Sequence, residues 1–106
     1  MKSSASIDYL KEEVFRDISG LTYRPMFGGV CIYKDGVACG MLADDILYFK
    51  VGDNNRPDYE AAGSKPFEYS MKGKTYKMSY WEVPQEVLDD SDKLKVWLKK
   101  SLETKK

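Results

Sequence analysis

The sequence predicts an α+β domain of two layers, with helices packed on one face of an antiparallel sheet. Three observations carry that expectation. Strand-like segments are grouped between helical ones, very short turns join consecutive strands, and one late segment keeps a clean period of two. The expected order is α-β-β-β-α-β-β-α, in a single domain spanning residues 1–106.

The first helix is expected over Ser6 to Ser19, where Ile7, Leu10, Val14 and Ile18 recur at three- and four-residue spacing. Ser6 stands in the N-cap position and Gly20 in the C′ position. Three strands follow, at Val30 to Lys34, Val37 to Leu42 and Ile46 to Val51, separated by Asp35-Gly36 and Asp44-Asp45. Loops this short force antiparallel neighbours. With Asp35-Gly36 as a two-residue turn, Ile32 faces Cys39 and Cys31 faces Gly40, which puts the cysteines on opposite faces. They are read as free, half-buried thiols in a reducing compartment.

One face of this meander gathers Cys31, Tyr33, Ala38, Gly40, Leu42, Leu47, Phe49 and Val51. The other gathers Val30, Ile32, Val37, Cys39, Met41, Ile46 and Tyr48, with Lys34 and Lys50 at its ends. Both faces are largely apolar, and the lysines mark the second as the less covered.

Gly52-Asp53-Asn54-Asn55 interrupts the third strand, and Arg56 to Ala62 reads as a short helix with Pro57 in its first turn and Gly63 closing it. A hairpin follows, turning at Lys72-Gly73. Phe67, Tyr69 and Met71 on one arm and Tyr76, Met78 and Tyr80 on the other alternate with polar residues. In that register Phe67 faces Met78 and Tyr69 faces Tyr76, so all six share a dry side, expected to pack beneath a helix. Trp81 falls on the opposite parity and is left as an exposed aromatic. Beyond Pro84, Val87 and Leu88 form a short turn. Ser91 or Asp92 then caps a last helix carrying Leu94, Trp97, Leu98 and Leu102.

Composition narrows the function. Eight Tyr, four Phe and two Trp supply the core with large burial per side chain. Seventeen basic residues balance seventeen acidic ones, so no global field draws nucleic acid or an acidic membrane. Lys99-Lys100 and Lys105-Lys106 suit the end of a helix, where cations complement its dipole. Negligible affinity for duplex DNA is expected. No apolar run approaches the roughly 20 residues that span a bilayer, and no signal-peptide core is present, so a cytoplasmic location is expected. The absence of histidine removes the commonest general base, and no paired carboxylates or metal ligands replace it. No cofactor and no metal is expected, and the chain is read as non-enzymatic.

Several segments in order resemble a known family. These are Arg24-Pro25-Met26-Phe27-Gly28-Gly29, Ala43-Asp44-Asp45-Ile46-Leu47-Tyr48-Phe49-Lys50-Val51, Asn55-Arg56-Pro57-Asp58-Tyr59-Glu60-Ala61-Ala62-Gly63, Pro66-Phe67-Glu68-Tyr69 and Met78-Ser79-Tyr80-Trp81-Glu82-Val83-Pro84. Together they are similar to the N-terminal domain of the TfoX/Sxy family, from about Phe15 to Leu102. The resemblance implies an α+β fold of secretion-chaperone type and a bacterial protein. The best-known members regulate competence for DNA uptake and act as co-activators with the cyclic-AMP receptor protein. Those members carry a further helical C-terminal domain, for which the residues after Leu102 leave no room, so a stand-alone N-terminal-type domain is expected.

Arg24 and Arg56 are the first site candidates, because two guanidinium forks that converge bind a carboxylate or phosphate bidentately. The competing and preferred reading has each pair with a neighbouring acid or with backbone carbonyls and pin a loop. Met26-Phe27-Gly28-Gly29 lacks the lysine, hydroxyl residue and glycine spacing of a phosphate loop, and bends or bulges the chain into its strand instead. Asp44, Asp45, Asp53, Asp89, Asp90 and Asp92 have no calcium-loop spacing and suit turns and helix starts. Tyr76, Tyr80 and Trp81 invite comparison with a base-stacking platform, but the first two fall on the dry side.

Two functions remain. One is a regulatory module acting through protein contact, with Ile32, Met41, Ile46 and Tyr48 as an apolar interface. A symmetric homodimer through this patch is a specific form of it. The other is a sensor of small anionic ligands, using Arg24 and Arg56 and flanked by Trp81.

Overall fold

Three two-residue turns set the architecture. Asp35 and Gly36 have φ of 50° and 84°, Asp44 and Asp45 of 51° and 62°, and Lys72 and Gly73 of 53° and 79°. Left-handed backbone at both central residues makes a type I′ turn, whose twist matches that of the strands it joins. These turns connect β2 (Gly29–Lys34) to β3 (Val37–Ala43), β3 to β4 (Ile46–Lys50), and β5 (Pro66–Met71) to β6 (Lys74–Glu82). The structure is a computed structural model that describes residues 7–26 and 29–104. Ser6, the Phe27-Gly28 pair and Lys105-Lys106, each singled out above, lie outside the described residues.

A further strand, β1 (Leu21–Met26), precedes the expected ones and pairs antiparallel with β2 from Leu21↔Lys34 to Met26↔Gly29. Pro25 concealed it. Proline lacks the N–H a ladder needs, but β1 is an edge strand, where one side of the backbone has no partner. The sheet therefore has six strands, all antiparallel, in the order β1-β2-β3-β4-β6-β5. A Cβ on Gly29 would overlap the Leu42 carbonyl oxygen, so close backbone approach, not a bulge, requires glycine there.

The first helix is shorter than its periodicity suggested. Helix α1 (Ile7–Tyr9) widens into a π-type stretch, Leu10–Val14, closed by the Phe15 N–H donating to the Leu10 carbonyl at 2.7 Å. Val14 and Phe15 at the end of this stretch are both buried in the core. Gly20 is consequently no helix terminus. It makes the left-handed bend into β1, and its carbonyl accepts the Asp35 N–H at 2.8 Å. The other helices are α2 (Arg56–Ala61), α3 (Gln85–Leu88) and α4 (Ser91–Leu102). Asp90, one residue before the expected cap, is the N-cap of α4 and accepts the N–H groups of Asp92 and Lys93 at 3.0 and 3.2 Å.

The sheet faces differ from the expected assignment because of one bulge. Lys34↔Val37 and Tyr33↔Ala38 pair as the turn dictates, but the next pair is Ile32↔Gly40, leaving Cys39 as the extra residue. A slip of one residue moves side chains to the other face. Ile32, fully buried, therefore joins Leu42, Leu47 and Phe49 in the main core beneath Leu10, Val14, Phe15, Leu94 and Leu98, and Val30 packs against them. Cys31 moves to the other side. The cysteines remain free and on opposite faces, with Cys31 half-buried but Cys39 completely buried.

The face without helices holds a second, smaller apolar cluster. Met41, Ile46 and Tyr48 are only 4%, 7% and 8% exposed, under Phe67, Met78 and Tyr80 of the β5–β6 hairpin. Tyr69↔Tyr76 pair as expected, while towards the hairpin base Pro66 pairs with Trp81, so Phe67 stands against three residues of β6. The dry side of the hairpin thus lies away from the helices, not beneath one. Trp81 accordingly packs half-buried on the helix side and is not an exposed aromatic. Ile32 belongs to neither an interface nor this face, and Met41, Ile46 and Tyr48 are covered within the chain. This removes the exposed apolar area on which a dimer through them was expected.

Two outcomes test these placements. Ile32→Glu puts a charge where no solvent reaches, at an expected cost above about 4 kcal/mol. That variant should show no cooperative urea transition; a folded protein of near-native melting temperature would contradict the bulge register. Burial, and then the neighbouring Cys31, push the Cys39 thiol up to about 12. At pH 8 the native protein should therefore take one maleimide, at Cys31, and a second only in denaturant, as read by mass spectrometry.

Candidate functional site

The loop from β4 into α2 is held by a dense set of hydrogen bonds and ion pairs. Asn55, 1% exposed, accepts the Gly52 N–H at 2.8 Å through Oδ1 and donates through Nδ2 to the Lys50 carbonyl at 3.1 Å. Arg56 pairs with Asp53 at 2.8 Å, and Lys100 of α4 pairs with Asp58 at 2.7 Å. Asn54 donates to the Lys100 carbonyl at 3.0 Å. Tyr59 is buried between Trp97 (ring centroids 4.6 Å) and Trp81 (6.3 Å). Its hydroxyl makes no hydrogen bond among the described residues, and burial holds the phenol above its ordinary pKa. This segment welds α2 to the last helix. It is a structural clasp rather than a binding loop.

Arg56 therefore follows the loop-pinning reading. Arg24 sits exposed on β1 opposite Cys31, beside Tyr33. The Tyr33 phenol is pushed up first by the Cys31 thiol next to it, while the Arg24 guanidinium pulls it down. β1 is four strand spacings from β6, about 19 Å, and α2 rests on β6 through Tyr59 and Trp81. The two arginines also lie on different layers. They do not converge on one ligand, and Trp81 packs against Tyr59.

The helix-free face offers something else. Where the β3–β4 turn meets the hairpin base, a cavity of about 390 Å³ is lined by Asp44, Ile46, Tyr48, Lys65, Pro66, Phe67, Glu68 and Glu82. Phe67 meets Tyr48 edge-on, with ring centroids 5.2 Å apart and planes at 80°. Burial, followed by the charges of Glu82 and Asp44, raises the Tyr48 phenol. Met78 and Tyr80 continue the wall as half-buried side chains, and Tyr76 beyond them is 43% exposed. Burial first, then Cys31, Cys39 and Tyr33, raises the Tyr80 phenol. A second cavity, about 270 Å³, lies on the helix side against Tyr9, Glu13, Val14, Leu88, Asp89 and Ser91. Neither cavity includes either arginine.

Of the expected interface residues, the structure brings Ile46 and Tyr48 to this cavity, places Met41 in the cluster behind them, and sends Ile32 to the opposite face. Asp44, Lys65, Glu68 and Glu82 were not singled out as a group. Glu68 reads as an outward residue by alternation, and it borders the cavity because the register breaks at Phe67. Among the described residues no group of acids and thiols has the arrangement of a metal site, and no helix is long and apolar enough to cross a membrane.

The clasp has a measurable cost of removal. Asn55→Ala leaves the Gly52 N–H and the Lys50 carbonyl without their partner, at about 1–3 kcal/mol for each buried group. Urea denaturation should show a loss of about 2–6 kcal/mol in total. A loss under about 0.5 kcal/mol would mean that water replaces the side chain.

No curated protein matches the chain significantly. The family model of the TfoX N-terminal domain matches residues 13–105, from the π-type stretch through α4. With that span, the α+β architecture and the clasp sequence in place, the chain belongs to the TfoX N-terminal domain family.

Proposed function

We propose that this domain is a non-enzymatic regulatory module that works by binding a partner protein on the helix-free face of its sheet. The single observation behind the reading is the division of the molecule. Helices cover one face, whereas the other is finished only by half-buried side chains of a hairpin. Phe67, Met78 and Tyr80 there are rigid or adaptable contact residues of the kind that anchor interfaces. Kinship with competence regulators supports a regulatory role in the bacterial cytoplasm. Equal numbers of acidic and basic residues speak against binding duplex DNA, and a chain without histidine is poorly equipped for acid–base chemistry.

Affinity purification of the tagged protein from its native host tests this. The wild type should recover one partner in stoichiometric amount. Tyr76→Asp, an exposed position on the hairpin, should lower recovery about tenfold or more. Val96→Asp, 53% exposed on α4, should leave recovery unchanged. Recovery of no partner, or loss with Val96→Asp alone, would overturn the reading.

A further inference from the structure

Past the end of β4 the β5–β6 hairpin runs on as a two-stranded ribbon. β6 pairs with β4 from Glu82 to Tyr80, and the Val51 N–H then donates to the Ser79 carbonyl at 2.7 Å. From Lys77 to Lys74 it pairs with β5 alone, and each of these four residues is exposed. The backbone groups of successive strand residues point to opposite edges. The Val83 N–H donates to the Leu47 carbonyl, so, with Ser79, the odd-numbered residues of β6 face β4. Thr75 and Lys77 therefore turn their N–H and C=O groups to that same side, where no strand lies among the described residues. A two-stranded ribbon is marginal in water and gains stability from a third strand. What such an edge recognises is extended backbone.

Charge selects the kind of chain. Residues 65–80 hold four lysines and one glutamate, in a sequence that is neutral as a whole. Lys72 and Lys74 flank the tip, Lys77 stands opposite Glu68, and Lys50 ends β4 opposite Tyr80. None of these lysines is in an ion pair among the described residues. Lysines on an edge discourage a second copy of the chain, whose ribbon is equally basic. They favour a strand that carries carboxylates.

We propose that the partner protein adds an extended acidic segment as a strand along the Thr75–Lys77 edge of β6. The inference rests on the partner-binding reading and names the segment the partner presents. Its backbone exchanges hydrogen bonds with Thr75 and Lys77. Its carboxylates on one face meet Lys74 and Lys50, and those on the other meet Lys77. Lys74 shares the helix-free face with Tyr76 and Met78, so the added strand and the aromatic contacts form one continuous surface.

An NMR titration of the full chain tests the proposal without the partner. The probes are a capped Thr-Glu-Val-Glu-Thr peptide, its glutamine counterpart, and the glutamate peptide methylated at alternate backbone nitrogens. The glutamate peptide should cause saturable shifts at the Thr75, Tyr76 and Lys77 amides and slow hydrogen exchange at Thr75 and Lys77. Its binding should weaken as salt screens the lysines. The glutamine and methylated peptides should each bind about tenfold or more weakly. Lys74→Gln/Lys77→Gln, at two exposed positions, should weaken binding of the glutamate peptide about fivefold or more. No saturation by roughly 20 mM, equal binding of the glutamine peptide, unchanged exchange at Thr75 and Lys77, or unchanged binding by the double variant would overturn the proposal. Slow exchange at both amides in a peptide-free dimer would overturn it in favour of a second copy. Tighter binding of an oligothymidylate than of the peptide would do so in favour of nucleic acid. Partner recovery and its loss with Tyr76→Asp are read separately, so the docking face survives if only the added strand fails.

Discussion

One extra residue in β3 decides what this molecule is on each side. The bulge at Cys39 lets Ile32 pair with Gly40, so that side chains of β2 before the bulge point the same way as Leu42, Leu47 and Phe49. Without it Ile32 and Val30 would face away from the helices, and Leu10, Phe15, Leu94 and Leu98 would lose part of the surface they pack on. The bulge is stabilised locally. Cys39 is small enough to turn inward, where its thiol lies 3.5 Å from the Ile32 carbonyl, and Gly40 approaches the Tyr48 carbonyl more closely than any Cβ allows. The main core and the composition of the open face both follow from this one irregularity.

Much of the fold was legible because its signals are local. Asp35-Gly36, Asp44-Asp45 and Lys72-Gly73 announce turns whose left-handed backbone the structure displays. Pro57 in the first turn of α2 and the spacing of Leu94, Leu98 and Leu102 in α4 read directly as helix. What failed was non-local. A strand carrying Pro25 looks unlike a strand until an edge position excuses it. A π-type turn beginning at Leu10 leaves no mark in periodicity, since Ile18 still falls at helical spacing from Val14. Period-two alternation in the hairpin established that Phe67, Met78 and Tyr80 share a side. It carried no information about which layer that side would meet, because both faces of the meander are apolar.

The candidate site shows the same division more sharply. Asn55-Arg56-Pro57-Asp58-Tyr59 stands out in sequence and proves to be the clasp between α2 and α4, its polar groups spent on Gly52, Lys50, Asp53 and Lys100. Distinctive residues here mark a demanding local geometry. The carboxylates at the cavity, by contrast, come from a turn, an edge strand and the end of β6, and none is unusual alone. Only the strand order, which sets β4 between β3 and β6, brings Asp44 and Glu82 to the same aromatic ring.

A small domain gains stability by burying apolar surface, yet a two-layer plan leaves one sheet face with no layer above it. This chain resolves the conflict with side chains instead of a helix. Phe67, Met78 and Tyr80 reach over Met41, Ile46 and Tyr48, which brings those three to near-complete burial while the covering residues stay half in solvent. Coverage of that kind satisfies the interior without presenting a closed surface. A partner need not displace a helix or open a core to dock there; it has only to complete contacts that the hairpin leaves unfinished. At the base of the hairpin Phe67 faces three residues of β6 and the ladder is interrupted, beside the cavity. The cavity lies where that interruption meets the β3–β4 turn, so the same hairpin that finishes the helix-free face also leaves a recess among the residues described there.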